Sequence, residues 1–519
     1  MLILITILLL ALTAVSLFAL RLYRPDFRYS WIIAVAGALL AWISVLLWRL
    51  DLPLVFSLPP WQPVELFSEP PLFLADRSSW TYAFSLVTLV LATLLTAVAR
   101  PNLNNVSAWA GVLALGSVGM LAVLADNPLT LVLAWTAIDL AELFTLLATV
   151  RGKKLRERVV ISFTTRILGS AFLLLANFVS VAAGSSLNFV AAPRQAGVYM
   201  LIAAGLRLGV LSMHLPFRTE SALRRGFGTM LRLTSAASSL VLLARIPFAS
   251  LYSPLIPYLL AFITITALYS SWMWLRATDA LDARPYWVLG MGSLALAATL
   301  RANPTGSIAW GLALIFGGGA LFLTTVEQPW LKRALFLNML FMAGLPFTLT
   351  AAGWVNKNGT WWFFTPFLLV AHALLLAGYF RHARRTQETS LTAGSAFLRT
   401  LYPSGALMFT ISMLVLGIIG WNGAAQFGAW LPAMIAAALT GLVIWLRPRI
   451  RALNPLEAHW LTPNTEAGFE RIYNIFWDTY YNLRNFLQQI TNILESDSGI
   501  LWALLMLIVF ASMLAGGIR

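Results

Sequence analysis

The chain is 519 residues long, 60% hydrophobic and 11% charged, with a net charge of +15. Soluble domains carry about 25% charged residues, so charge this sparse excludes a water-coated globular protein and leaves lipid as the solvent. The basic residues are scattered over many short loops rather than gathered in a patch, which argues against nucleic acid and fits the Lys and Arg excess on the cytoplasmic side of membrane proteins.

A membrane helix needs about 20 largely apolar residues. Stretches of this kind lie at 2–20, 30–49, 79–99, 106–125, 128–149, 159–183, 196–213 and 226–246, then at 254–275, 286–301, 305–325, 333–353, 360–380, 402–421, 427–446 and 499–517. The sequence therefore predicts an all-α polytopic bundle of about 16 helices. The first stretch, Leu2 to Leu20, has no basic residue before it and is longer than a signal-peptide core, so it reads as a retained helix. Residues 50–78 hold Pro53, Pro59, Pro60, Pro63, Pro70 and Pro71 and read as an irregular external loop.

With the N-terminus outside, most of the 35 Lys and Arg fall in inside loops, which begin at Arg21, Arg100, Arg151, Arg218, Arg276, Lys332, Arg381 and Arg447. This alternation implies an even number of spans and both termini on the outer side. Residues 464–495 differ from the rest. Phe469, Ile472, Tyr473, Phe476, Tyr480 and Leu483 recur at helical spacing in a polar background, the mark of an amphipathic helix lying at the interface or packed on cytoplasmic loops. The expected divisions are 1–78, 79–246, 247–380, 381–463, the amphipathic helix 464–495 and the anchor 496–519.

Cysteine is absent, which removes disulfides, thiol nucleophiles and a Cys-ligated iron–sulfur cluster. The four histidines (His214, His372, His382 and His459) lack metal-ligand spacing. No nucleotide loop and no nucleophile elbow is present, so neither a metal nor a cofactor is expected on the chain.

Ionisable groups within a span cost about 2.5–3.5 kcal/mol each on insertion scales and are usually paired and functional. Here they cluster. Asp139 and Glu142 lie three apart on the fifth helix, so they share a face. Arg166, Arg207 and Arg232 lie on the sixth, seventh and eighth helices, and His214 near the inner end of the seventh. Such a set suits a proton pathway, in which a buried carboxylate exchanges a proton as a cation approaches or withdraws. It equally suits static ion pairs that fix helix register. Helix breakers add a second signal: Pro216 after His214, Gly317 and Gly318 in the eleventh helix, and Gly344 with Pro346 in the twelfth.

The motifs resemble the antiporter-like membrane subunits of respiratory complex I and of Mrp sodium/proton antiporters, over residues 70–420. Leu72 to Asp76 looks like that family's LDGLS, and Asp126 to Trp135 like its NLLTLFVFWE. Arg207 and His214 match the Lys and His of its K…PFHxWLP. Met230 to Arg245 resembles its eighth helix, Asp282 to Arg284 its DxKR, and Ala343 to Pro346 its AGLPP. The resemblance implies two inverted five-helix repeats, helices 4–8 and 9–13, and a lateral helix with a terminal anchor. It also implies partner membrane subunits, protons or Na+ as cargo, and a bacterial cytoplasmic membrane. In that scheme Asp139 and Glu142 accept protons, Arg207 and Arg232 modulate them, and His214 relays them inward.

Departures from the pattern are specific. Thr136 stands where the family's glutamate follows Trp, Arg207 replaces its lysine, and Arg232 its histidine; Ala313 to Ala320 is uncharged. Arginine does not release a proton as lysine does. Two other readings therefore remain open: a non-conducting structural subunit, and a small-anion transporter that uses Arg166, Arg207 and Arg232 as a clamp.

Overall fold

The computed structural model describes residues 2–449 except 26, 28, 60–69, 100–105, 151–152, 186–187, 212–224, 326–327, 357–360, 386–395, 420 and 422–427. His214, Pro216, the amphipathic stretch 464–495 and the anchor at 499–517 lie outside the described residues.

Among the described residues fifteen helices follow in chain order: α1 (Leu2–Tyr23), α2 (Ser30–Trp48), α3 (Arg77–Thr96), α4 (Val106–Leu124), α5 (Pro128–Thr149), α6 (Lys153–Ala182), α7 (Arg194–Arg207), α8 (Arg225–Ala244), α9 (Ile256–Arg276), α10 (Arg284–Leu300), α11 (Pro304–Leu323), α12 (Pro329–Phe341), α13 (Thr365–Ala383), α14 (Ala396–Ile419) and α15 (Trp430–Leu446). Eleven of them are long and apolar enough to cross a membrane: α1 to α6, α8, α9, α11, α13 and α14. The chain is a multi-pass membrane protein, as its composition predicts.

The centre is built from α3, α8 and α11. The membrane-length windows of α3 and α11 are wholly buried and that of α8 is 83% buried. Around them pack α2, α4, α10 and α14. The outer helices turn apolar side chains outward, such as Val15 on α1, Phe144 on α5, Phe178 on α6 and Ile265 on α9. In water such a surface would be a liability; against lipid tails it is the expected finish.

Helix starts follow the sequence. The Asp76 carboxylate accepts from Ser79 N at 2.6 Å while Ser79 Oγ accepts from Asp76 N at 2.8 Å, a reciprocal cap on α3. Asn127 and Asn303 each precede a proline and accept the backbone N–H three residues on, at 2.8 Å, opening α5 and α11.

Three expectations need correction. The stretch 50–78 is not irregular throughout: β1 (Leu54–Ser57) and β2 (Leu72–Ala75) pair antiparallel, with Leu54 opposite Ala75. Prolines disguise this hairpin because they sit outside the paired residues. Gly317 and Gly318 do not interrupt the eleventh helix, since α11 is continuous. A Cβ at Gly317 would lie 2.3 Å from Met342 Sδ, and one at Gly318 2.8 Å from Trp287 Nε1. These glycines admit close packing and do not break the helix. The seventh helix, expected to reach 213, stops at Arg207, where Gly209 (φ +77°) reverses the chain and Leu211 N returns to Gly205 O at 3.0 Å.

The expected break at Gly344 is present. Helix α12 ends at Phe341, and Gly344 adopts φ +79°. Carbonyls freed at membrane depth need partners. Thr350 Oγ1 donates to Phe341 O at 2.9 Å, and the fully buried His372 ring meets Met342 O through Nε2 at 3.0 Å. His372→Leu leaves the Met342 carbonyl buried without this donor. The expected cost is about 1–3 kcal/mol, read as a lower thermal unfolding temperature of the purified chain, with helix content unchanged.

Candidate functional site

The site grows from one stripe of α5. Leu131, Trp135, Ile138, Asp139, Glu142 and Leu146 are buried, whereas Leu133, Leu140 and Phe144 face outward. At 3.6 residues per turn both acids fall on the inward stripe, so helix periodicity alone carries them into the protein. Asp139 is 1% exposed and Glu142 3%.

Three helices supply the counter-charges. Arg207, the last residue of α7, grips Asp139 with both terminal nitrogens, Nη1 to Oδ2 at 2.5 Å and Nη2 to Oδ1 at 2.8 Å. Its position suits a cation, because the carbonyl end of a helix dipole is negative. The guanidinium lies over the Trp135 ring, 4.2 Å from its centroid, and reaches Ser170 Oγ at 3.3 Å. Gly169 makes this approach feasible: a Cβ there would lie 2.8 Å from Arg207 Cγ.

Arg166 of α6 joins the two acids. Its Nη1 stands 3.4 Å from Asp139 Oδ1, contacts Glu142 Oε2, and donates to Ser235 Oγ at 2.7 Å. Arg232 of α8 donates to Glu142 Oε1. The result is an alternating row, Arg207, Asp139, Arg166, Glu142, Arg232, drawn from four helices and carrying one net positive charge. Its two ends differ. The Arg207 and Asp139 side chains are sealed from solvent, while those of Arg166 and Arg232 keep 12% and 11% of their surface. Glu142 is thus held by the two arginines of the row whose side chains keep some exposure.

All five charged residues expected on helices five to eight meet. Ser170, Ser235 and Gly169 were not anticipated, although Ser170 follows Arg166 by four residues and Ser235 follows Arg232 by three, a readable helical spacing. Each arginine already has a carboxylate partner, so the anticipated anion clamp is filled by the protein's own acids. Among the described residues no group of His, Asp and Glu is arranged to hold a metal ion.

A separate ionic knot closes the C-terminal end of α8. Arg245 lies 3.6 Å from Asp126 and 3.9 Å from Asp76 and donates to the carbonyls of Ala125 and Leu74. It ties the hairpin, the α3 cap and the α4–α5 turn together, which is a structural duty.

No protein-family model and no curated protein matches the sequence. Solved structures do. A chain in the Mrp complex from Dietzia sp. DQ12-45-1b superimposes with TM-score 0.71 at 17% identity, covering 100% of this chain and 63% of that one. The protein thus spans less than two thirds of that relative. A chain of the membrane-bound sulfane sulfur reductase, an archaeal respiratory membrane complex, matches with TM-score 0.60 at 12% identity, covering 98% and 100%. A chain of respiratory complex I from Thermus thermophilus with bound NADH gives 0.62 at 18% identity, covering 85% and 99%. The chain has the fold of these chains at 12–18% sequence identity.

Proposed function

We propose that the chain is a membrane subunit of a larger Mrp-like or complex I-like assembly, and that it takes part in moving protons, or Na+ and protons, across a bacterial cytoplasmic membrane. The observation that carries this reading is the buried row of alternating charge centred on Asp139 and Glu142. Taking charges out of water costs several kcal/mol per ion even when they are paired, and one pair would suffice to fix helix register.

The two acids then divide the work. Asp139, gripped by two Arg207 nitrogens in a dry setting, is the fixed anchor. Glu142 is the proton acceptor. When Arg232 swings away, Glu142 loses one of its two counter-charges and a proton restores the row's single net positive charge; when Arg232 returns, the proton leaves. The arginines stay charged throughout. His214, seven residues beyond Arg207, relays protons toward the cytoplasm in this scheme. Two inverted five-helix units and both termini on the outer side complete the arrangement, and partner subunits supply what the uncharged α11 lacks.

That uncharged α11 also favours a second reading, a non-conducting subunit that anchors its partners. Affinity purification of the full chain from native membranes tests the shared premise of both: other hydrophobic subunits should copurify, and the reconstituted assembly should move H+ or Na+. A chain that purifies alone, or an assembly that moves neither ion, overturns the leading proposal.

A further inference from the structure

The C-terminal ends of α9, α13 and α15 converge. Leu275, Leu374 and Ala377 form an apolar cluster with Trp272, Ile444 and Leu446. At this end arginines accumulate: Arg276 closes α9, Arg381, Arg384 and Arg385 close α13, and Arg447 and Arg449 follow α15. Three helix C-termini supply about −0.5 charge each, and the loop after α9 adds Asp279 and Asp282. Set against six arginines, that leaves a net excess of about two and a half positive charges among the described residues.

These groups are held in place. Arg381 donates to the carbonyls of Leu275 and Ala277, which fastens α13 to the end of α9. Arg385 and Arg447 lie within electrostatic reach of Arg381 and of each other. Burial, then Arg385, push the Arg447 guanidinium below its ordinary pKa. Arg385 stands 3.8 Å from Asp279, at the limit of an ion pair, and Arg449 lies 3.7 Å over the Trp445 ring. Beside them Leu442 and Trp445 are exposed on α15. Cations packed this closely call for an anion, and the apolar flank calls for a chain attached to it.

We propose that the converging ends of α9, α13 and α15 bind the phosphate of an anionic membrane lipid between Arg385 and Arg447, with its acyl chain along Leu442 and Trp445. A lipid phosphate meets both requirements, whereas free inorganic phosphate meets only the first.

The test is lipid retention by the purified full chain. Native mass spectrometry after exchange into equal phosphatidylglycerol and phosphatidylcholine should show selective retention of phosphatidylglycerol. Arg385→Gln with Arg447→Gln should cut that selectivity about 25-fold, and Arg385→Gln alone, at a half-exposed side chain that is safe to fold, by about fivefold. Arg21→Gln with Arg24→Gln, another basic pair, should leave it unchanged. Equal retention of both lipids, equal loss in the control pair, or displacement of phosphatidylglycerol by millimolar inorganic phosphate would each overturn the proposal.

Discussion

Asp139→Asn is expected to be among the most damaging single substitutions in the protein. It keeps the side-chain shape and removes the charge, so Arg207 is left buried with its own charge unmatched. Breaking a buried pair from one side costs about 3–5 kcal/mol, and here both side chains are sealed from solvent. The expected readout is a large drop in the thermal unfolding temperature and in the amount of chain recovered from membranes. Arg207→Met added to Asp139→Asn should restore most of the loss, because a Met side chain fills the space over Trp135 and asks for no counter-ion. Additive losses in the double variant would mean that the two residues do not act as a pair.

Glu142→Gln is expected to do the opposite: little harm to the fold and a large loss of function. Arg166 retains Asp139 and Ser235 as partners, and Arg232 sits at the accessible end of the row, so neither is stranded in a dry interior. Ion flux through the reconstituted assembly should fall about a hundredfold or more, the range expected when a proton-transfer group is removed. The subunits should still copurify. Unchanged flux would favour the anchoring, non-conducting reading.

Much of this architecture was legible in the chain. Apolar runs of membrane length are a strong signal because bilayer thickness fixes their size. The inward stripe of α5 follows from the spacing of Trp135, Asp139 and Glu142 alone. What escaped depends on contacts between distant segments. The early end of α7 was hidden because residues 196–213 remain apolar past the turn, and only Gly209 marks it. Glycines 317 and 318 look like a break in one dimension and act as packing sites once Met342 and Trp287 press on them. His372 shows no motif because its partner, Met342 O, is 30 residues away and belongs to the backbone.

The same logic explains why the first half of the chain holds the candidate site. Among the described residues the buried carboxylates within helices, Asp139 and Glu142, both lie on α5, and one arginine each from α6, α7 and α8 meets them. The break in α12 is instead satisfied by neutral donors, Thr350 and His372. Helices α7 and α12 both end among buried residues and satisfy freed backbone groups differently, α7 through the Leu211 N–H that returns to Gly205 O and α12 through side-chain caps.

The most direct test is infrared difference spectroscopy on the reconstituted assembly under an imposed proton gradient. If Glu142 takes up a proton as Arg232 leaves, a protonated-carboxylic-acid stretch should rise with the gradient, vanish in Glu142→Gln and persist in Asp139→Asn samples that still fold. Ion flux with no carboxylic-acid band, or a band that survives Glu142→Gln, would contradict it.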